Sequence, residues 1–205
     1  MDPKELIKCI NASCKKSISS AFNLSLCSHN HNFIHFVIDG TYFAVNKHEL
    51  VKVLKWFDDF WLFLEIKFNL PKKRVKRNKE IQIQISLSVF HGVESDDKKQ
   101  QLFRAEWDDY DNLDEKHAQP HWHITANQAI DNTFEKYLDN DFEESDFLIT
   151  GNKKQKILDV SELHFAMSGN WQNNEKHVHE IENEQQVVNW LQGMLAHVRI
   201  ELESL

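Results

Sequence analysis

The stretch Ile81–Val89, IQIQISLSV, decides how the chain is read. Ile81, Ile83, Ile85, Leu87 and Val89 alternate without a break with Gln82, Gln84, Ser86 and Ser88. Successive side chains of a strand point to opposite faces, so the pattern is that of a long strand with one face buried and the other polar. GVESDDKKQQ, at 92–101, has the composition of an exposed loop and sends the chain back antiparallel. In the returning strand Phe103, Ala105 and Trp107 share one face, and Arg104, Glu106 and Asp108 share the other. After an acidic loop, His121 and His123 alternate in the same way with Trp122 and Ile124. Consecutive strands are usually neighbours, which places both polar sets on one side of one sheet. Residues 102–124, LFRAEWDDYDNLDEKHAQPHWHI, thereby gather Arg104, Glu106, Asp108, His117, His121 and His123 into the one tight knot of groups with chemical potential.

Towards the N-terminus, Leu6, Ile7, Ile10, Cys14 and Ile18 recur at steps of three and four, which predicts an amphipathic helix over 3–20 lying on a sheet. Phe22, Leu24 and Leu26 alternate with polar residues and predict a short strand. Phe33–Val45 reads as two strands joined by Asp39-Gly40, the pair that favours a type I′ hairpin turn. His29-Asn30-His31 shares only its letters with the name of a nuclease motif and is read as the loop before that hairpin. Asn46 with Glu49 resembles a capping box, and Leu50, Leu54, Phe57, Trp61 and Leu64 then predict a long, mostly buried second helix widened by Val53, Phe60 and Phe63. Any excess apolar face on it, Trp56 or Trp61 included, would meet a protein partner.

Pro71 opens PKKRVKRNK, which carries six Lys or Arg in nine residues. Read plainly this is a solvated loop; the sharper reading makes Lys72, Lys73, Arg74, Lys76 and Arg77 a local nucleic-acid patch, although the run lacks aromatic residues for base stacking. Beyond the knot, 131–147 reads as a short acidic helix or irregular segment, and 157–167 as a strand with Leu163, Phe165 and Met167 inward and His164 on the other side. Asn183 with Gln186 caps a final helix whose stripe is Val187, Val188, Leu191, Met194, Leu195, Val198 and Leu202. The fold expected is α+β: a mostly antiparallel sheet of five to seven strands with long amphipathic helices packed on one face, all in a single globular domain over 1–205.

Composition narrows the class. The chain has 205 residues, 41% hydrophobic and 27% charged, with five Gly and three Pro, the profile of an ordinary globular protein without low-complexity linkers. Cys9, Cys14 and Cys27 lack CxxC spacing and suggest neither a disulfide framework nor a zinc knuckle. A net charge of −8 opposes binding to nucleic acid over the whole surface, leaving only the local basic patch. No apolar run reaches the roughly 18–20 residues of a membrane span, and the opening Met-Asp-Pro-Lys-Glu lacks the order of a signal peptide, so a cytoplasmic protein with no membrane contact is expected.

Three functional readings follow. In the first, His121 and His123 direct two imidazoles to one face, Glu106, Asp108 or His164 completes the ligand set, and a divalent transition metal such as zinc, manganese or iron is held with a position open for water. In the second, His121, His123 and His164 share general acid and base work while Arg104 stabilises an anionic transition state, the minimum equipment for cleaving a phosphodiester or nucleic acid. In the third, these groups are ordinary strand residues, and the chain is a non-catalytic, protein-binding subunit of a larger cytoplasmic assembly of bacterial type. The order Phe103-Arg104-x-Glu106, loop, Pro120-His121-x-His123 resembles small toxin proteins of bacterial toxin–antitoxin pairs over that span alone; loop length and surroundings differ, and no residue role follows from it.

Overall fold

A computed structural model of the chain describes residues 1–47, 49–70, 81–97, 99–109, 118–124 and 179–204. Its elements in chain order are helix α1 (Pro3–Ser17), strands β1 (Leu24–His29), β2 (Phe33–Ile38), β3 (Tyr42–Asn46), β4 (Glu49–Phe57), β5 (Phe60–Asn69), β6 (Gln82–His91), β7 (Gln100–Asp108) and β8 (His121–Ile124), and helix α2 (Glu184–Glu203). The strands form one antiparallel sheet, ordered β1-β2-β5-β6-β7-β8, with β4 also on β5 and β3 on β4. One edge of β5 pairs with β6 along its length, and the other is shared: β4 takes Phe60–Leu62 and β2 takes Glu65–Asn69.

The expected architecture is corrected on two counts. Among the described residues the sheet has eight strands rather than five to seven, and the only helices stand at the two ends of the chain, so the picture of long amphipathic helices packed on a sheet does not hold. The segment read as the second long helix is the β4–β5 hairpin, turning at Asp58-Asp59, with Asp58 at φ +40. Its helical spacing is coincidental. Val51, Val53, Trp56, Phe57, Trp61 and Phe63 are β-branched and aromatic residues that suit a pleated surface, and β5 is buried on both faces, which erases the alternation that marks a strand.

The Asp39-Gly40 hairpin is corrected too. β2 pairs with β1 and β5, and β3 pairs with β4, so these residues link two strands that are not partners. Asp39 accepts hydrogen bonds from Asn23 Nδ2 (2.7 Å) and Ser25 Oγ (2.5 Å), which hold its carboxyl below the ordinary range. Gly40 is required by closeness: a Cβ there would lie 2.5 Å from the Val53 carbonyl oxygen. β2 makes its hairpin with β1 instead, in a turn that Asn30 closes by accepting from the amides of Asn32 (2.8 Å) and Phe33 (3.1 Å).

Register gives the sheet two unlike faces. Leu62, Leu64, Ile66 and Phe68 of β5, Ile83, Ile85, Leu87 and Val89 of β6, and Phe103, Ala105 and Trp107 of β7 form an apolar face and are buried. Each fully buried side chain of this size contributes about 1.5–3 kcal/mol relative to exposure. The terminal helices complete that core. α1 begins with Asp2 accepting from the Lys4 amide, and its Leu6, Ile7, Ile10 and Cys14 are buried. α2 begins with an Asn183–Gln186 capping box and buries Val187, Leu191 and Val198. Trp190 of α2 meets Trp107 at 5.5 Å between ring centroids, and Gln192 donates to Ser13 of α1. Among the described residues no helix is long and apolar enough to cross a membrane.

The other face is polar and carries three rows set by pairing. One runs Phe63, Ser88, Arg104, His123; the next Glu65, Ser86, Glu106, His121; the third Lys67, Gln84, Asp108. The β3–β4 hairpin folds back over part of this face. Ala44 bridges Lys99 just before β7, Tyr42 packs on Trp61 (4.6 Å), and buried Ser88 donates to buried Asn46 at 2.9 Å.

Candidate metal centre

The site is assembled by β7, β8 and the tip of the β3–β4 hairpin. Arg104 lies opposite His123 and Glu106 opposite His121, and adjacent strands stand about 4.8 Å apart, so these four side chains necessarily crowd together. Gln119 fixes the entry to β8: its side chain accepts from the Asp108 amide (2.9 Å) and its carbonyl from the His179 amide (3.1 Å).

The ligand-type atoms converge. His121 Nε2 and His123 Nε2 are 2.8 Å apart, His123 Nε2 lies 3.2 Å from Glu106 Oε2, and His121 Nε2 lies 3.7 Å from the same oxygen. These three atoms fall on a circle of about 1.9 Å radius, so an ion about 2.1 Å from each sits just under 1 Å out of their plane. Tetrahedral zinc with bonds of that length spaces its ligands by about 3.4 Å, within the range of the three separations. Glu106, His121 and His123 are thus a group whose dimensions suit one ion.

Charge around the cluster is arranged on Glu106. Arg104 contacts its Oε2 at 3.2 Å and the Lys47 ammonium contacts its Oε1. Burial alone would raise the Glu106 carboxyl, but the Lys47 hydrogen bond and charge, with Arg104 and His123, outweigh it and hold the group below the ordinary carboxylate range. Burial and the nearby Arg104 lower His123 from the usual imidazole value, against the pull of Glu106. A neutral imidazole beside an ionised carboxylate is the protonation state that a cation requires of its ligands. Asp108 differs: burial raises its carboxyl, with Asp109 and Glu106 adding to the effect, while hydrogen bonds from Gln84 (2.6 Å) and Gln82 (2.9 Å) oppose it.

Of the residues singled out in the sequence, the structure brings together Arg104, Glu106, His121 and His123. Asp108 shares their face but gives its oxygens to Gln82 and Gln84, outside the three-atom cluster. His117, His164 and the basic residues Lys72, Lys73, Arg74, Lys76 and Arg77 lie outside the described residues. Trp56 and Trp61, considered as a partner surface, are buried.

Sequence reasoning missed Lys47 and Glu65. Lys47, at φ +50, sits in the hairpin tip 59 positions from Glu106 and reaches it only because β3 and β4 fold over the sheet. Glu65 lies on β5, where it accepts from His35 (3.1 Å) and Lys67 (3.0 Å). Burial works to raise its carboxyl, but these partners outweigh it and lower it. Compared with protein families, with curated proteins and with solved structures, the chain matches none.

Proposed function

We propose that this protein is a metal-dependent hydrolase acting on a phosphodiester, with Glu106, His121 and His123 holding a divalent transition metal. The observation that carries the reading is the convergence of two imidazole nitrogens and one carboxylate oxygen at separations that one ion matches. Two histidines and a carboxylate suit zinc, manganese or iron and leave a coordination position open. Such an ion supplies a Lewis acid and an activated water at neutral pH. The chain's own Arg104 then serves the substrate. Its guanidinium, which contacts Glu106 through one terminal nitrogen, would stabilise the non-bridging oxygens of a phosphodiester, where negative charge grows during attack. The metal-free version of this chemistry is less favoured, because the two Nε2 atoms that would act as acid and base are turned towards each other.

The reading is tested with bis(p-nitrophenyl) phosphate and a single-stranded RNA in the presence of Zn²⁺, Mn²⁺ or Fe²⁺. Turnover that a chelator abolishes and the metal restores supports it; a metal-loaded chain inert towards both substrates counts against it. A second reading, a protein-binding subunit, draws on one observation. Phe43 and Val45 of β3 and Leu50 of β4 are exposed on the outer side of the hairpin, where pairing sets Val45 against Leu50.

A further inference from the structure

Beside the metal centre the polar face encloses a cavity of about 210 Å³. That is below the roughly 300–1,000 Å³ of a whole ligand pocket, so it suits one ring or branch of a larger molecule. Along its floor Glu65, Ser86 and Glu106 lie side by side on β5, β6 and β7. Ser86 is 6% exposed, and its Oγ has no hydrogen-bond partner among the described residues. A buried hydroxyl that faces a cavity without a partner is satisfied by what enters the cavity.

The lining selects the guest. An anion would face the carboxylates of Glu65, Glu106 and Asp108, while the two ammoniums in the wall, Lys47 and Lys67, are already engaged by Glu106 and Glu65. A cation would have to compete with Lys47 and Lys67, which already neutralise Glu106 and Glu65. An apolar group would leave the Ser86 hydroxyl without a partner. What remains is an uncharged group rich in hydroxyls, each able to donate to a carboxylate and accept from a hydroxyl or amide. Glu65 binds both His35 and Lys67 through Oε2, which leaves Oε1 as an acceptor.

We infer that this cavity is a subsite for an uncharged sugar ring bearing a vicinal diol of the ribose type, one hydroxyl on Ser86 Oγ and the other on the Glu65 carboxylate. The link from sugar to phosphodiester rests on the hydrolase reading; binding of the sugar does not. In the full-length chain, titration with methyl β-ribofuranoside is expected to shift the amide resonances of Ser86 and Glu65. The 2-deoxy counterpart and the Ser86→Ala variant should each weaken binding about tenfold, the effect of one hydrogen bond. Loss of a hydroxyl that has no partner breaks no hydrogen bond, so Ser86→Ala should melt no lower than wild type, and Glu65→Gln serves as a second variant with the same expected loss of binding.

Equal binding of the two sugars, equal binding by wild type and both variants, or absence of any shift with the riboside overturns the inference. A chain that binds the riboside but no metal defeats the hydrolase reading and upholds the subsite. A chain that holds metal and cleaves diesters yet ignores the riboside defeats the subsite alone.

Discussion

Replacement of Lys99 by Met tests how the hairpin that carries Lys47 is seated. Lys99 is 2% exposed, and its ammonium donates to the carbonyls of Val93 (2.5 Å), Asp96 (2.9 Å) and Glu94 (3.3 Å). It also lies over the Trp61 ring at 4.8 Å and the Tyr42 ring at 5.3 Å, and its backbone amide donates to Phe43 of β3. Burial pushes the ammonium below its usual value, and the charges of Asp96, Glu94, Asp59 and Asp97 only partly oppose this. Methionine keeps most of the volume and removes the charge. Hydrogen bonds to a charged group contribute about 1.5–3 kcal/mol each, but the loop carbonyls can turn to water and the desolvation cost of the cation is recovered, so the net loss expected is about 3 kcal/mol. Urea unfolding should show a lowered midpoint at unchanged slope, and Lys52→Met, on the exposed side of the hairpin, should stay within about 0.5 kcal/mol of wild type. A loss below about 1 kcal/mol for Lys99→Met would refute the reasoning.

Two further outcomes follow from the fold and its charges. Gly40→Ala forces a Cβ to 2.5 Å from the Val53 carbonyl, so it should lower stability by about 2–4 kcal/mol in the same assay, and an unchanged midpoint would contradict the close approach. Glu65 is lowered in the folded state, so it contributes stability above its unfolded value near 4.3 that is lost as pH falls through the lower folded value. The difference in stability between wild type and Glu65→Gln should therefore be full at neutral pH and shrink below about pH 4; a difference independent of pH would contradict it.

The legible parts of this fold are those where one face is wet. β6 and β7 read correctly because Gln84, Ser86, Arg104 and Glu106 keep the polar side of the alternation visible. β5 was illegible because the β3–β4 hairpin covers Trp61 while the apolar core covers Leu62 and Leu64, leaving an unbroken hydrophobic run whose spacing also fits a helix. Asp39-Gly40 misled for a related reason: the local turn preference is real, but β2 gains more by pairing with β1 and β5 than by turning onto β3. In the site, parity and adjacency were enough to bring Glu106, His121 and His123 together. Lys47, Glu65 and Ser86 depend on long-range pairing that no local pattern encodes.

The central claim is that Glu106, His121 and His123 bind an ion, and elemental analysis of the purified chain, followed by titration with Zn²⁺, Mn²⁺ and Fe²⁺, tests it most directly. About one ion per chain is expected, absent from a His121→Ala, His123→Ala double variant that keeps its fold by circular dichroism. A folded wild-type chain that takes up none of the three metals, or a double variant that binds as much as wild type, would contradict it.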